Sequence, residues 1–525
     1  MLGNVYLCGP PGSGKSTVAP LLAALLEREV VDVDAQIEGE DQRRIARIVD
    51  EDGEAAFRAR ERGAIQAASV RQGCVVALGG GALEDAWNRT RVAETGVLVF
   101  LDASLATCAE RISREPGRRP LLRTPETLAR LHAERRPRYA TAPVHVVVDG
   151  LTPGAAADAV RAALHRRRVV RVATPKPYDV AIGALVLDDL PNDMRPAAGG
   201  RALIVGDEAV APIARRVARA YEAHGVDAGL VLVPADESLK SLDRVGALYA
   251  ALGAERIDRR GVIVGVGGGT ISDAVGFAAA TYQRGVPYVA VPTTLLAAVD
   301  AAIGGKTAIN LPAGKNLVGT VTQPVFVAIA PYALRSLPRR DIVSGYAEMI
   351  KCGLALDAAL YRALRAGESA LFDDPATALD AIARCVELKA ELVVLDEEDR
   401  SGARAILNFG HTVGHAVEKV AGFGTFRHGE AVIVGMRAAL ALSAARGALD
   451  RADRDEADAH LASLPVPSSW RELDAEAVIA ATQGDKKRHA SGTRYVLLDR
   501  IGSARLDDTI RGEDVRSALA QIGLT

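Results

Sequence analysis

The chain has 525 residues, 49% of them hydrophobic and 25% charged, and a formal net charge of −2. That length exceeds one ordinary domain, and so balanced a charge gives no global attraction to nucleic acid or anionic lipid, so phosphate binding must arise at local sites. Five cysteines (Cys8, Cys74, Cys108, Cys352, Cys385) without CxxC spacing argue against a disulfide framework or a thiolate metal site and fit a reducing cytoplasm.

In chain order, apolar runs at Val5–Cys8, Val30–Val33, Val75–Leu78, Val97–Leu101 and Val144–Val148 alternate with amphipathic helical stretches. This pattern predicts an α/β fold, a parallel sheet with crossover helices. A glycine loop begins at Gly9, which leaves no room for a signal peptide, and no apolar run is long enough to span a bilayer. The stretch from Arg166 to Pro177 is basic and proline-bearing and reads as a linker. A second α/β segment begins near Tyr178, with strands expected at Ala202–Val205, Gly229–Val233, Gly261–Val266 and Tyr288–Val291. Beyond Pro331 helical patterns dominate, except for a hairpin-like stretch at Thr493–Leu498. The expected division is 1–165, a linker at 166–177, an α/β domain at 178–331 and a mainly helical domain at 332–525.

Gly9-Pro10-Pro11-Gly12-Ser13-Gly14-Lys15-Ser16 fits GxxxxGK[ST] between a strand and a helix. Its backbone N–H groups from Gly12, Ser13, Gly14 and on to Thr17 would cradle phosphates at a helix N-terminus. Lys15 would reach the β- and γ-phosphates and Ser16 would hold Mg²⁺. Asp32 and Asp34, separated by one residue near the end of the next strand, would serve one the metal and the other the substrate. Arg58 and Glu61 lie one helical turn apart and, by themselves, read as a surface ion pair. Gly79-Gly80-Gly81 closes another strand and admits close backbone approach. Arg118-Arg119-Pro120-Leu121 suits a lid loop, and Arg135 opens a basic run on a late helix.

Residues 1–165 resemble shikimate kinase in these motifs, although Glu38-Gly39-Glu40-Asp41-Gln42 stands where that family usually has a Thr-Gly-Arg-Ser type sequence. The resemblance implies that Asp34, Arg58, Gly80 and Arg135 hold shikimate. It implies further that Asp32 supports Mg²⁺ and that Arg119 is the lid arginine on the transferring phosphate of ATP. Arginine forks suit a carboxylate-bearing acceptor, and Asp34 is placed to orient or deprotonate the attacking hydroxyl.

In the second half, a strand at Gly261–Val266 runs into Gly267-Gly268-Gly269, with Asp273 just inside the next helix. The ordinary GxGxxG fingerprint is absent, but glycines at a helix start still let a pyrophosphate approach the backbone. His411 and His415 stand at i and i+4, His428 follows at a helix start, and Glu348 lies upstream. An oxygen ligand and two imidazoles with an open position describe a catalytic Zn²⁺ site, and spacing does not choose two of the three histidines. Lys306, Lys315, Lys351, Lys389, Arg404 and Lys486 form a cationic set that implies an anionic, phosphorylated substrate.

Residues 178–525 resemble 3-dehydroquinate synthase through Asp236-Glu237-Ser238-Leu239-Lys240, the triple glycine, Pro292-Thr293-Thr294-Leu295-Leu296, Asp300–Lys306, Lys315-Asn316, Glu348 with Lys351, the histidine region and Asp485-Lys486-Lys487. The resemblance implies that Glu348, His411 and His428 bind Zn²⁺ or Co²⁺ and that His415 serves phosphate contact or proton transfer. Asp300, Lys306, Lys351, Lys389, Arg404, Asn408, Asn316 and Lys486, which the resemblance does not separate from its neighbour Lys487, would contact substrate. Glu237, Lys240, Gly267, Gly268, Gly269, Asp273, Thr293 and Thr294 would hold NAD, joined by Lys306 and Lys315 where cofactor and substrate meet. Arg284 would reach a phosphate across a homodimer interface in this half. The implied reaction converts 3-deoxy-D-arabino-heptulosonate 7-phosphate to 3-dehydroquinate and phosphate with no net redox change. A rival reading, a nucleotide-sensing module fused to a metal-dependent polyol dehydrogenase, leaves the lysine set without a purpose.

Overall fold

The computed structural model describes residues 3–114, 125–334, 337–422, 424–483 and 494–524. Its first sheet has five parallel strands in the order Glu29–Asp32, Cys74–Ala77, Asn4–Cys8, Gly96–Asp102, Val144–Val147. Buried aliphatics cover both faces: Val5, Leu7, Val75 and Val99 pack under Lys15–Leu25 and Pro153–His165, while Tyr6, Val76 and Phe100 pack under Glu54–Val70. The strand order reverses beside Asn4–Cys8, which puts the glycine loop at the crevice where open α/β sheets bind ligands.

A second sheet has seven strands, ordered Arg167–Val172, Tyr178–Gly183, Phe326–Ile329, Tyr288–Pro292, Val262–Gly267, Ala202–Asp207, Ala228–Val233. All pairs are parallel except the first, which is antiparallel. Two hairpins, Lys306–Leu311 with Gly314–Val321 and Tyr495–Arg500 with Ser503–Asp507, stand apart from it. From Arg339 onward the chain is mainly helical. Among the described residues no helix is long and apolar enough to cross a membrane, and all five cysteines are free and buried.

The structure departs from the expected linker. Residues 167–172 are an edge strand of the second sheet, with Val170 and Val172 buried and Arg168 and Arg171 exposed. Charged side chains are what an edge strand needs to resist pairing with other chains. Arg166, Arg167 and Arg168 reach Asp380, Asp193 and Glu387, so the basic run lies against the second half.

Contacts also cross between the halves. Leu185 completes the aliphatic core that lies under Pro153–His165. Glu94, 7% exposed on the helix Ala86–Thr95, accepts from Arg215 at 3.1 Å and Arg219 at 3.3 Å on the helix Ala211–Ala223.

Candidate functional sites

The first site surrounds a cavity of about 630 Å³ lined by Gly12 to Thr17, Asp34 and Gly80. Gly12 and Gly14 have φ of 86° and 98°, conformations that turn the loop amides inward at no side-chain cost. Lys15 donates to the carbonyls of Gly9 and Pro10 at 2.7 and 3.1 Å, so its ammonium lies inside the loop it serves. Arg111, which the sequence reading missed, braces the loop by donating to the carbonyls of Ser13 and Val148. Its only sequence signal was a basic residue seven positions before Arg118.

The acceptor side is assembled from four segments. Asp34 does not extend the strand as expected. The strand ends at Asp32, whose carboxylate caps the helix Val33–Asp41 by accepting from Ala35 N at 3.0 Å, and Asp34 sits in the first turn. Asp34 thereby reaches Gly79, where a Cβ would meet its Oδ1. Arg58 and Glu61 are not a surface pair: Glu61 is 1% exposed, and its Oε2 accepts from Arg58 at 2.8 Å. Burial pushes the Glu61 carboxyl up, with Arg58 opposing that shift. Arg58 lies against Gly81, and Tyr139 donates to the Gly80 carbonyl, tying the helix Pro125–Tyr139, which carries Arg135, to the same loop. Arg119 lies outside the described residues.

The second site opens on a cavity of about 1090 Å³ lined by Glu237, Lys240, Gly269, Asp273, Lys315, Asn316, Asn408, His411, His415 and His428 among others. On one wall Gly268 alone separates the strand Val262–Gly267 from the helix Gly269–Thr281, which it caps. Lys240, nearly buried, donates to Asp273 at 2.6 Å and to Asn316 at 2.5 Å. Glu237 accepts from Asn310, another residue the sequence reading passed over. Thr293 N donates to Gly267 O at 2.9 Å, and Thr294 packs against Gly268 and caps the turn at Ala297.

The opposite wall is built on three helices, Arg339–Leu356, His411–Ala421 and His428–Ala445. The last is fastened to the first. Ser344 Oγ accepts from Gly429 N at 2.9 Å, Arg340 forks onto buried Glu430 at 2.7 Å, and a Cβ on Gly429 would fall on the Ser344 carbonyl. This close packing sets Glu348 opposite His428.

Glu348 is 1% exposed. Its Oε2 accepts from Lys351, while its Oε1 is buried without a hydrogen-bond partner, 3.6 Å from His411 Nε2 and 3.7 Å from His428 Nε2. A buried orphan carboxylate oxygen is costly unless a cation completes it. The three imidazoles cluster together, and His411, His415 and His428 each bring a ring nitrogen within 4.8 Å of the others. Burial, with Lys351 and the other two imidazoles, holds His411 well below its ordinary value and therefore neutral, the form that ligates metal. The donor set of one carboxylate and two imidazoles fits a catalytic transition-metal site.

Further cationic side chains are held by acidic and carbonyl partners. Lys389 donates to Asp300 at 2.5 Å, Lys306 pairs with Asp399, and buried Arg404 reaches Gly304 O at 3.4 Å. Burial would raise Asp300, but Lys389 and Lys351 more than offset that and hold it well below the usual carboxylate range. Lys486 lies outside the described residues. Arg284 sits at φ 66° after Gln283 at φ 49°, two successive left-handed residues on an exposed turn.

The fold and sites define a P-loop phosphotransferase joined to an α/β enzyme whose glycine turn faces a cavity lined by three clustered imidazoles. Residues 11–165 match the shikimate kinase family, residues 230–344 the 3-dehydroquinate synthase N-terminal family and residues 345–488 its C-terminal family. The chain is 41% identical over 319 residues to a 3-dehydroquinate synthase of Rhodopirellula baltica, covering 60% of this chain and 85% of that protein. It is 41% identical over 353 residues to a 3-dehydroquinate synthase of Bordetella pertussis, covering 67% and 98%. A solved structure of ValA, a 2-epi-5-epi-valiolone synthase from Streptomyces hygroscopicus with NAD⁺ and Zn²⁺ bound, superposes with a TM-score of 0.58 at 29% identity, covering 66% of this chain and 96% of that one. The chain belongs to the 3-dehydroquinate synthase family and carries a shikimate kinase domain ahead of it, so it combines both activities of the shikimate pathway.

Proposed function

We propose the following division of labour. The kinase occupies 1–165, the NAD-binding domain runs to 331 and now includes 166–177, and the helical domain fills 332–525. In the kinase, Gly12, Ser13, Gly14, Lys15, Ser16 and Thr17 bind MgATP, with Asp32 supporting the ion. Arg58, Gly80 and Arg135 hold shikimate, Asp34 orients its 3-hydroxyl for attack on the γ-phosphate, and Arg119 closes on the transferring group. Catalysis here is positioning and charge neutralisation.

In the synthase, Glu348, His411 and His428 hold a divalent metal, Zn²⁺ or Co²⁺. The orphaned Glu348 Oε1 between two Nε2 atoms is the observation that carries this reading. Gly267, Gly268, Gly269, Asp273, Glu237, Lys240, Thr293 and Thr294 seat NAD⁺, with Lys306 and Lys315 at its boundary with the substrate. When bound, the metal supplies a Lewis acid and the nicotinamide a reversible hydride acceptor. The chain's own residues do the rest. Lys351, anchored on Glu348, and Lys389, anchored on Asp300, present ammonium groups to substrate oxygens. Lys306, Arg404, Asn408, Asn316, Lys315 and Lys486 bind the phosphate and carboxylate of heptulosonate 7-phosphate. His415, on the same helix face as His411, exchanges a proton with the departing phosphate. The enzyme works in the cytoplasm, consistent with its free, buried cysteines, as a homodimer through the synthase half, with Arg284 reaching the neighbouring site.

The test is to give the purified protein each substrate separately. Shikimate with MgATP should yield ADP, and heptulosonate 7-phosphate with NAD⁺ should release phosphate without net NADH. Accumulating NADH, or oxidation of a neutral polyol, would favour the dehydrogenase reading instead.

A further inference from the structure

The helix His411–Ala421 carries three polar residues at i, i+4 and i+7: His411, His415 and Glu418. That spacing sets all three on one face, and all three line the synthase cavity. The residue with no role so far is Glu418. Its Oε2 lies 3.5 Å from His428 Nδ1, and its side chain is 18% exposed. His428 is therefore bracketed by carboxylates, with Glu348 Oε1 at 3.7 Å from Nε2 and Glu418 at the other ring nitrogen.

We infer that Glu418 is a positioning residue for the metal centre, holding His428 in the tautomer that carries its proton on Nδ1 and turns the Nε2 lone pair toward Glu348. The inference rests on the metal assignment above. The two nitrogens of an imidazole direct their bonding positions away from each other, so Glu418 cannot share an ion bound at Nε2. It acts on that ion through the ring. An acceptor at Nδ1 fixes the tautomer, fixes the ring's rotation and raises the basicity of Nε2. His411 has the corresponding partner, since its Nδ1 faces the carbonyl of Phe409 at 3.3 Å. The two histidines thus have matching tautomers, one set by a backbone carbonyl and one by a carboxylate. The carboxylate is the stronger acceptor and serves the more exposed ring (28% against 11%), which has more freedom to rotate away. Glu418 also explains how one helix orders the site from two directions, by contributing His411 directly and by steering His428 from the neighbouring helix.

The full-length protein is stripped of metal and titrated with Co²⁺ against a chromophoric chelator, and the visible band of the bound ion is recorded. Glu418→Ala should weaken Co²⁺ binding by roughly 10–100-fold and change the band, because the outer partner of a histidine ligand is worth that much. Glu418→Gln, isosteric and uncharged, should show an intermediate loss while keeping the parent's band shape. It also provides the reading if the alanine variant does not fold. Thermal unfolding followed through Trp470, the tryptophan of the helical domain, in a Trp87→Phe background reports the fold of each variant. Parent-like Co²⁺ affinity in both variants, with affinity lost in His428→Ala, overturns the role of Glu418 alone. Parent-like affinity in His428→Ala overturns the metal assignment on which it rests.

Discussion

Excision of the kinase at residue 165 is expected to give a folded but weakened enzyme. The cut removes Leu185, which is 5% exposed within the kinase's own core, and two arginine partners of Glu94. A buried leucine side chain contributes about 1.5–3 kcal/mol, and each half-exposed ion pair up to about 1 kcal/mol, so the synthase half supports the kinase by about 2–5 kcal/mol. Against a typical total of about 5–15 kcal/mol, the fragment keeps its fold but with a thinner margin. The chain has two tryptophans, Trp87 in the kinase and Trp470 in the helical domain, so fragment 1–165 reports through Trp87 alone. Full-length Trp470→Phe provides the matched reference. With a urea dependence of about 2 kcal/mol per molar, the fragment's Trp87 transition should come about 1–2.5 M earlier. It should still phosphorylate shikimate. Coincident midpoints would show that the cross-half contacts carry no stability, and a fragment that is folded yet inactive would show that the kinase needs its partner to function.

Lys15→Ala should lower kinase turnover by about two orders of magnitude or more, with phosphate release by the synthase nearly unchanged, as expected for an electrostatic clamp used at one site. Equal losses in both assays would indicate misfolding or coupling. Gly429→Ala places a methyl on the Ser344 carbonyl, so the helix His428–Ala445 must move away from Glu348. The expected cost is about 1–3 kcal/mol in stability together with lost metal retention, read by unfolding and elemental analysis. Asp300 titrates lower in the fold than in the unfolded chain, so its stabilising contribution is present at neutral pH and is lost as pH falls below about 4. The gap in melting temperature between the parent and Asp300→Asn should therefore close on acidification, and a constant gap would refute the assignment.

Motifs held in one stretch were legible in the sequence. The P-loop, the glycine turn at Gly267–Gly269 and the His411/His415 pair each depend on local spacing, and local spacing survives folding. What depended on tertiary context was not. The stretch at 166–172 carries a period of two in Val170 and Val172, but its arginines masked that pattern, because edge-strand charges and linker charges look alike in sequence. Asp34 looks like part of a strand in sequence, because the capping role of Asp32, which starts a helix one residue later, leaves no local signature. Glu61 read as a surface acid until the glycine loop was seen to cover it. Spacing left three histidines open, and the unpartnered Glu348 oxygen that faces His411 and His428, which supports the proposed ligand set, comes only from the packing of separate helices. Glu418 stood in plain view three residues beyond His415, yet its partner His428 comes from another helix.

The most direct test of the account compares the metal content of purified His428→Ala and His415→Ala by elemental analysis, with thermal unfolding of the helical domain, followed through Trp470, as the check on folding. The account predicts that His428→Ala is metal-depleted and inactive as a synthase. His415→Ala should retain nearly stoichiometric metal and release phosphate slowly, with the kinase intact in both. A metal-free His415→Ala beside a metal-replete His428→Ala would contradict it.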